Sequence, residues 1–343
     1  MRPREFLMVF FVMGLVAPIA VLRFLQPLSG DLTRLGLLPE RAFGWNIAEP
    51  IIAGRSATVE KLEDAEILVI GDSFSISGVW QAYTFSPERK YITLRLGRIC
   101  RDYPEYIASL GKPPKTLIIQ VVERNARDVL TVDCAESLLK TVDGRQELRG
   151  GRPLVLAHKD SDEPHTGDRP KSILDGVFGY KYVVGSALYY LFPGVQHRPG
   201  SDGGVWIKKV DDGCRFFSNA ECEFSLFLGH DFTRPRLGED FRSHKLATVK
   251  STSERVLVIV IPDKSSVYLE SRDQALRKDE ALRLFGRQLA IDVVPLHTAF
   301  YDAKFRIKDL YSPNNSHLSV AGYRELATRL AAHDSSLRPA RLP

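Results

Sequence analysis

Residues 66–75 read Glu66-Ile67-Leu68-Val69-Ile70-Gly71-Asp72-Ser73-Phe74-Ser75. A short continuous apolar run that stops at a glycine has the pattern of a strand buried on both faces. Similar runs recur at 91–96 (YITLRL, before Gly97), 116–122 (TLIIQVV), 255–261 (RVLVIVI, before Pro262) and 291–295 (IDVVP). Between and after them lie helix-like stretches at 102–110, 271–290 and 320–332, the last with Ser319 placed to cap it. Alternation of this kind predicts an α/β protein: a three-layer α/β/α arrangement around a parallel sheet of about five strands.

The chain has 343 residues, 26% of them charged and 44% hydrophobic, which excludes a disordered chain, a collagen-like repeat and a small disulfide scaffold. Lys plus Arg exceeds Asp plus Glu by 47 − 42 = 5 and no long basic run occurs, so nucleic acid is not an expected partner. At the amino terminus, Arg2 and Arg4 precede the uncharged run 6–22, FLMVFFVMGLVAPIAVL, and Arg23 closes it. That run reaches the short limit for spanning roughly 30 Å of hydrocarbon. It predicts a single-pass anchor in a bacterial inner membrane, with Arg2 and Arg4 on the cytoplasmic side and the rest of the chain in the periplasm. A cleaved signal peptide is the alternative.

The expected organisation is an anchor (1–25), a connector (26–64), a catalytic domain (65–335) interrupted by an insertion (140–250), and a tail (336–343). Within the insertion, 180–192 reads as a helix and 205–232 as a β-hairpin. An oxidising compartment permits disulfides. The expected pairs are Cys214 with Cys222, eight positions apart, and Cys100 with Cys134; buried thiols are the other reading. No spacing typical of a zinc site occurs, and neither a metal nor a cofactor is expected.

Ser73 follows the first strand directly, and ligands of open α/β sheets bind at the carboxyl ends of strands. Serine attack on an ester needs a base within about 3 Å. His317, in Asn314-Asn315-Ser316-His317-Leu318-Ser319 just before the last helix, is the candidate among eight histidines. A tetrahedral intermediate needs hydrogen-bond donors, for which the Ser73 amide, Gly97 after the second strand and the Asn125 side chain after the third are candidates. Each residue alone has a plainer reading as a cap, a turn or a solvated loop. The four together, each at a strand end or helix start, point to an active site.

GDSFS at 71–75, Gly97, Asn125 and HLS at 317–319 with Gly322 resemble the four blocks of the SGNH (GDSL-type) hydrolase superfamily. IPDKSSVY at 261–268 and VVERN at 121–125 resemble its AlgX/AlgJ-like branch, periplasmic or membrane-anchored O-acetyltransferases of bacterial exopolysaccharides. HLSVAG at 317–322 is similar to SGNH domains fused to membrane acyltransferases. The resemblance covers 65–135 and 255–335. Three departures stand out: Asn314 occupies the position of the usual acid three residues before the histidine, no Asp-x-His precedes Ser73, and Glu123 replaces a glycine. Asn314 or Asn315 could hold the imidazole tautomer, as in Cys-His-Asn sites, or Asp309 could supply the acid.

The resemblance implies an O-acyltransferase, acetyl being the expected group, that moves an acyl unit from a donor through Ser73 to a glycan hydroxyl. A membrane acyl-exporting protein is the implied partner. Asp72, Arg124, Lys264 and Tyr268 are candidates to line the cleft, with salt bridge or core packing as the other reading. Trp80, Trp206 and the tyrosines of 180–190 could stack on sugars or pack in the interior. A carbohydrate acetylesterase with the same site is one alternative. A non-catalytic glycan-binding subunit of an export complex is the other.

Overall fold

The computed structural model describes residues 3–11, 14, 30–44, 55–59, 61–86, 88–95, 113–131, 139–142, 145–148, 188–189, 191, 197–198, 204–233, 253–334 and 337. In chain order the elements begin with α1 (Pro3–Phe11), α2 (Asp31–Gly36), α3 (Glu40–Phe43), β1 (Ile67–Gly71), α4 (Ser73–Ile76), α5 (Val79–Thr84), β2 (Tyr91–Arg95), β3 (Thr116–Val122) and α6 (Glu123–Thr131). There follow β4 (Leu139–Val142), β5 (Arg145–Leu148), β6 (His197–Arg198), β7 (Val205–Lys209), α7 (Gly213–Phe216), β8 (Phe224–Leu228) and α8 (His230–Thr233). The chain continues through β9 (Arg255–Ile261), α9 (Lys264–Leu269), α10 (Arg272–Leu289), β10 (Asp292–Val294), α11 (His297–Ala303) and α12 (Val320–His333).

Two compact units result. The larger comprises 49–165, 230–311 and 317–343. Its centre is a five-stranded sheet in the order β10-β9-β3-β1-β2, every pairing parallel. The expected strands are these five, with ends shifted by a residue or two. All five residues of β1, and the last six of β3 and β9, are buried. Their β-branched side chains join Leu282 and Phe285 of α10 and Ala126 and Leu130 of α6 in one core. Between β1 and β2 the chain steps to one side of the sheet; from β3 onward it builds on the other. The reversal makes the carboxyl end of β1 the switch point, the place where open sheets of this kind bind ligands.

α10 opens with a capping box, Ser271 accepting from the Gln274 amide while the Gln274 side chain accepts from the Ser271 amide. α12 opens with Ser319, whose hydroxyl accepts from the Gly322 N–H at 3.1 Å. The antiparallel β4–β5 hairpin also belongs to this unit.

The smaller unit comprises 1–48, 166–229 and 312–316. β6, β7 and β8 form an antiparallel sheet, and the β7–β8 hairpin is closed by the Cys214–Cys222 disulfide. Leu32, Leu38, Ala42 and Phe43 of the α2–α3 segment pack with Val205, Ile207 and Leu226 of that sheet. Within α1, Phe6, Leu7, Met8, Val9, Phe10 and Phe11 are all exposed. No helix among the described residues is long and apolar enough to cross a membrane. Most of 12–29, the stretch expected as helix at 102–110, most of the one at 180–192, Gly97, Cys100 and Cys134 lie outside the described residues.

Candidate active site

The site starts at the exit of β1. A Cβ at Gly71 would stand 2.4 Å from Ser75 Oγ and 2.6 Å from Gln120 Oε1, so only glycine lets the turn close this tightly. Ser75 Oγ donates to Gln120 Oε1 and accepts from Trp80 Nε1, anchoring the turn below. Asp72 caps α4: its Oδ1 accepts from the Phe74 N–H at 3.0 Å. Its Oδ2 accepts from the N–H of Val122, the last residue of β3, at 2.7 Å. One carboxylate thus ties the turn to the neighbouring strand end. Ser73, between these anchors, stays exposed.

His317 is set by the start of α12. Tyr311 and Leu318 form an antiparallel bridge, and the Ser319 N–H donates to the Leu310 carbonyl at 3.1 Å. A Cβ at Gly322 would meet the Leu310 oxygen at 2.1 Å, so the glycine brings the helix start hard against this segment. Ser319 and the buried Leu318 then fix the direction in which His317 leaves the backbone.

From opposite ends of the fold's sequence, 244 positions apart, His317 Nε2 and Ser73 Oγ come within 2.7 Å. That is a hydrogen bond short enough for proton transfer. The buried ring of Phe74 lies 4.7 Å from the imidazole centroid, the planes tilted by 38°. Tyr323 of α12 meets Phe74 edge-on from 6.4 Å.

No family model, curated protein or solved structure matches this chain.

The other candidates fall in several places. Asn125 is half-buried in the first turn of α6, directly beyond β3. Asn314, in the smaller unit, donates from Nδ2 to Glu40 Oε2 at 2.9 Å and Oε1 at 3.2 Å, and its carbonyl accepts from the Leu32 N–H. The Asn315 N–H donates to the Ser312 carbonyl. Asp309 is buried, with φ of 55°. Both oxygens of Asp72 serve backbone amides, as above. Arg124 donates to Asp263 Oδ1 at 2.5 Å and lies 3.3 Å from Asp231 Oδ1. Lys264 is 1% exposed, and the buried Tyr268 hydroxyl accepts from the Tyr311 N–H. Trp80 is fully buried and packs in the interior, while Trp206, half-buried, carries Lys208 Nζ over its ring.

A buried set of charges lies beyond the carboxyl ends of β3 and β9. Glu123 Oε1 pairs with Lys278 Nζ at 2.6 Å, and its Oε2 accepts from the Asp263 N–H at 3.0 Å. His297 Nε2 lies 3.3 Å from Glu123 Oε2 without the alignment of a hydrogen bond, so that contact is one of charge. Asp279 accepts from the amides of His297 and Thr298, capping α11. Burial opposes ionisation of Glu123, but His297 and Lys278 outweigh it and hold the carboxyl well below its ordinary range. Burial likewise opposes the charge of His297, yet Glu123 and Asp279 raise it to about 9. Burial lifts Asp231 to about 6 against the pull of Arg124, and lifts Asp263 well above the usual range. His297, the other histidine after a strand, is therefore biased toward its charged form by the two acids beside it.

Two contacts had no signal in the sequence. Phe74 reads as an ordinary core residue until its ring is found against His317. Asp31, in the smaller unit, holds Ser316, accepting from its N–H at 2.8 Å and its hydroxyl at 2.5 Å across 285 positions. Among the described residues, no group of three or more His, Cys, Asp or Glu side chains is arranged to hold a metal ion.

Proposed function

We propose that this protein is a membrane-anchored, periplasm-facing O-acyltransferase of the SGNH type, with a three-layer α/β/α catalytic domain, acting on hydroxyls of an exopolysaccharide or cell-envelope glycan. The observation that carries this reading is an exposed serine hydroxyl 2.7 Å from a histidine nitrogen at the switch point of a parallel sheet. Ser73 Oγ attacks the acyl carbonyl while His317 Nε2 takes its proton. By the resemblance, the donors for the developing oxyanion are the Ser73 amide, the Gly97 amide and the Asn125 side chain. Collapse expels the donor's alkoxide oxygen, which takes the proton from His317 and departs as an alcohol, and leaves an acyl ester on Ser73. A sugar hydroxyl then attacks, His317 taking its proton and returning it to Ser73 Oγ as the acyl–serine bond breaks, and the acyl group leaves on the glycan. Acetyl is the proposed group, and a membrane acyl exporter the proposed source of donor. The apolar, exposed α1 beside Arg2 and Arg4 supports the anchor, and the Cys214–Cys222 disulfide suits an oxidising compartment.

The test is covalent labelling of the full chain by a fluorophosphonate. Wild type should label, and Ser73→Ala and His317→Ala should lose at least about 10³-fold in rate. Equal labelling of Ser73→Ala would refute a catalytic role and leave a glycan-binding subunit. The exposure of Ser73 favours a second reading, a carbohydrate acetylesterase, because water can reach an acyl-enzyme there. Incubation of an acetyl ester with and without a glycan acceptor separates the two: acetylated glycan supports transfer, and acetate release indifferent to acceptor supports hydrolysis.

A further inference from the structure

We infer that Phe74 is a positioning residue for His317, its ring face holding the imidazole toward Ser73 and favouring the imidazolium formed when the serine proton is taken. The inference rests on the serine chemistry proposed above and names the group behind the base. Three observations carry it. Phe74 is fully buried, so its ring is not at liberty to turn away. Its backbone is held by Asp72 Oδ1, and Tyr323 packs edge-on against the ring. A further aromatic contact is with the imidazole itself, at 4.7 Å between centroids.

An aromatic face within about 6 Å of a cation attracts it, while a neutral imidazole at the same place gains much less. Proton transfer from Ser73 turns the imidazole into a cation. The contact therefore strengthens along the reaction coordinate, which is the condition for an interaction to raise kcat rather than only tighten binding. Phe74 follows the nucleophile directly, so one turn of backbone sets both the attacking oxygen and the surface that orients its base. Leucine would fill most of the space but has no π face.

The experiment compares wild type, Phe74→Leu, Phe74→Tyr and Phe74→Trp as full chains in detergent micelles. In wild type the His317 ring protons should be displaced upfield in the NMR spectrum by the Phe74 ring current, and Phe74→Leu should abolish the displacement. Turnover of an aryl acetate should fall about fivefold to tenfold in kcat for Phe74→Leu with KM within about twofold. Phe74→Tyr, which keeps the face, should return to near wild type. Unmoved His317 resonances in Phe74→Leu would overturn the inference, and so would an unchanged kcat. If wild type neither labels nor turns over ester, the serine chemistry falls. The His317 resonances then still decide whether Phe74 orients that ring.

Discussion

Asp72 Oδ2 accepts the backbone N–H of Val122 at 2.7 Å, joining the turn that carries Ser73 to the end of the adjacent strand. Val122 is 2% exposed, so its amide has no ready water to replace the carboxylate. Asp72→Ala should cost about 1–3 kcal/mol in a urea titration through the orphaned amides. It should also slow fluorophosphonate labelling of Ser73 about tenfold or more, because the turn loses its tie to β3. Unchanged stability and labelling together would show that the turn is held by other means.

Gly322 lies in a helix, where alanine is usually preferred by about 1 kcal/mol. Here the added Cβ would stand 2.1 Å from the Leu310 carbonyl oxygen, and backbone cannot yield cheaply. Steric cost of about 1–3 kcal/mol should win over propensity. Gly322→Ala is therefore expected to lower Tm and to slow labelling through displacement of His317. A raised Tm would contradict the close approach.

His297 is held at about 9 in the folded chain against 6.5 for an unperturbed imidazole, because Glu123 and Asp279 outweigh its burial. Its favourable contribution is complete below about pH 6.5 and declines as pH rises through 9. Wild type should accordingly lose on the order of a few kcal/mol of unfolding free energy over that window through this group. Glu123, displaced downward, acts in the opposite sense and loses its contribution only in acid. The stability of His297→Gln should start lower and vary less between pH 6.5 and 9. Identical slopes in the two proteins would show that His297 does not carry the charge.

The Cys214–Cys222 bond closes a loop of separation 8 in the smaller unit. Loop closure of that size stabilises by about 2–3 kcal/mol through the unfolded chain. Replacing both cysteines by serine should lower the urea midpoint of that unit by a corresponding amount. Equal midpoints with and without the bond would rule this out.

Much of the larger unit's architecture was legible because burial on both faces demands an unbroken apolar run, and such runs stand out in a polar chain. That is why β1, β3 and β9 are readable from Ile67–Gly71, Thr116–Val122 and Arg255–Ile261 without any knowledge of their neighbours. Charged residues after a strand carry no such mark. Arg124 and Lys264 look like solvated loop residues, yet one is clasped by two acids and the other is buried. Asn314, three residues before His317, takes its place from Glu40, 274 residues earlier in the chain.

Local chemistry settles what each segment can become: apolar runs become strands, Ser271 and Ser319 open helices, and Gly71 permits a tight turn. Which segments meet is a different matter, since pairing across hundreds of residues is decided by the order of strands in the sheet and by shared burial. The sequence alone made Ser73 and His317 candidates by type and position. Only the folded sheet, with β1 between β2 and β3 and α12 begun against Leu310, decided that a hydroxyl and an imidazole stand within hydrogen-bonding reach.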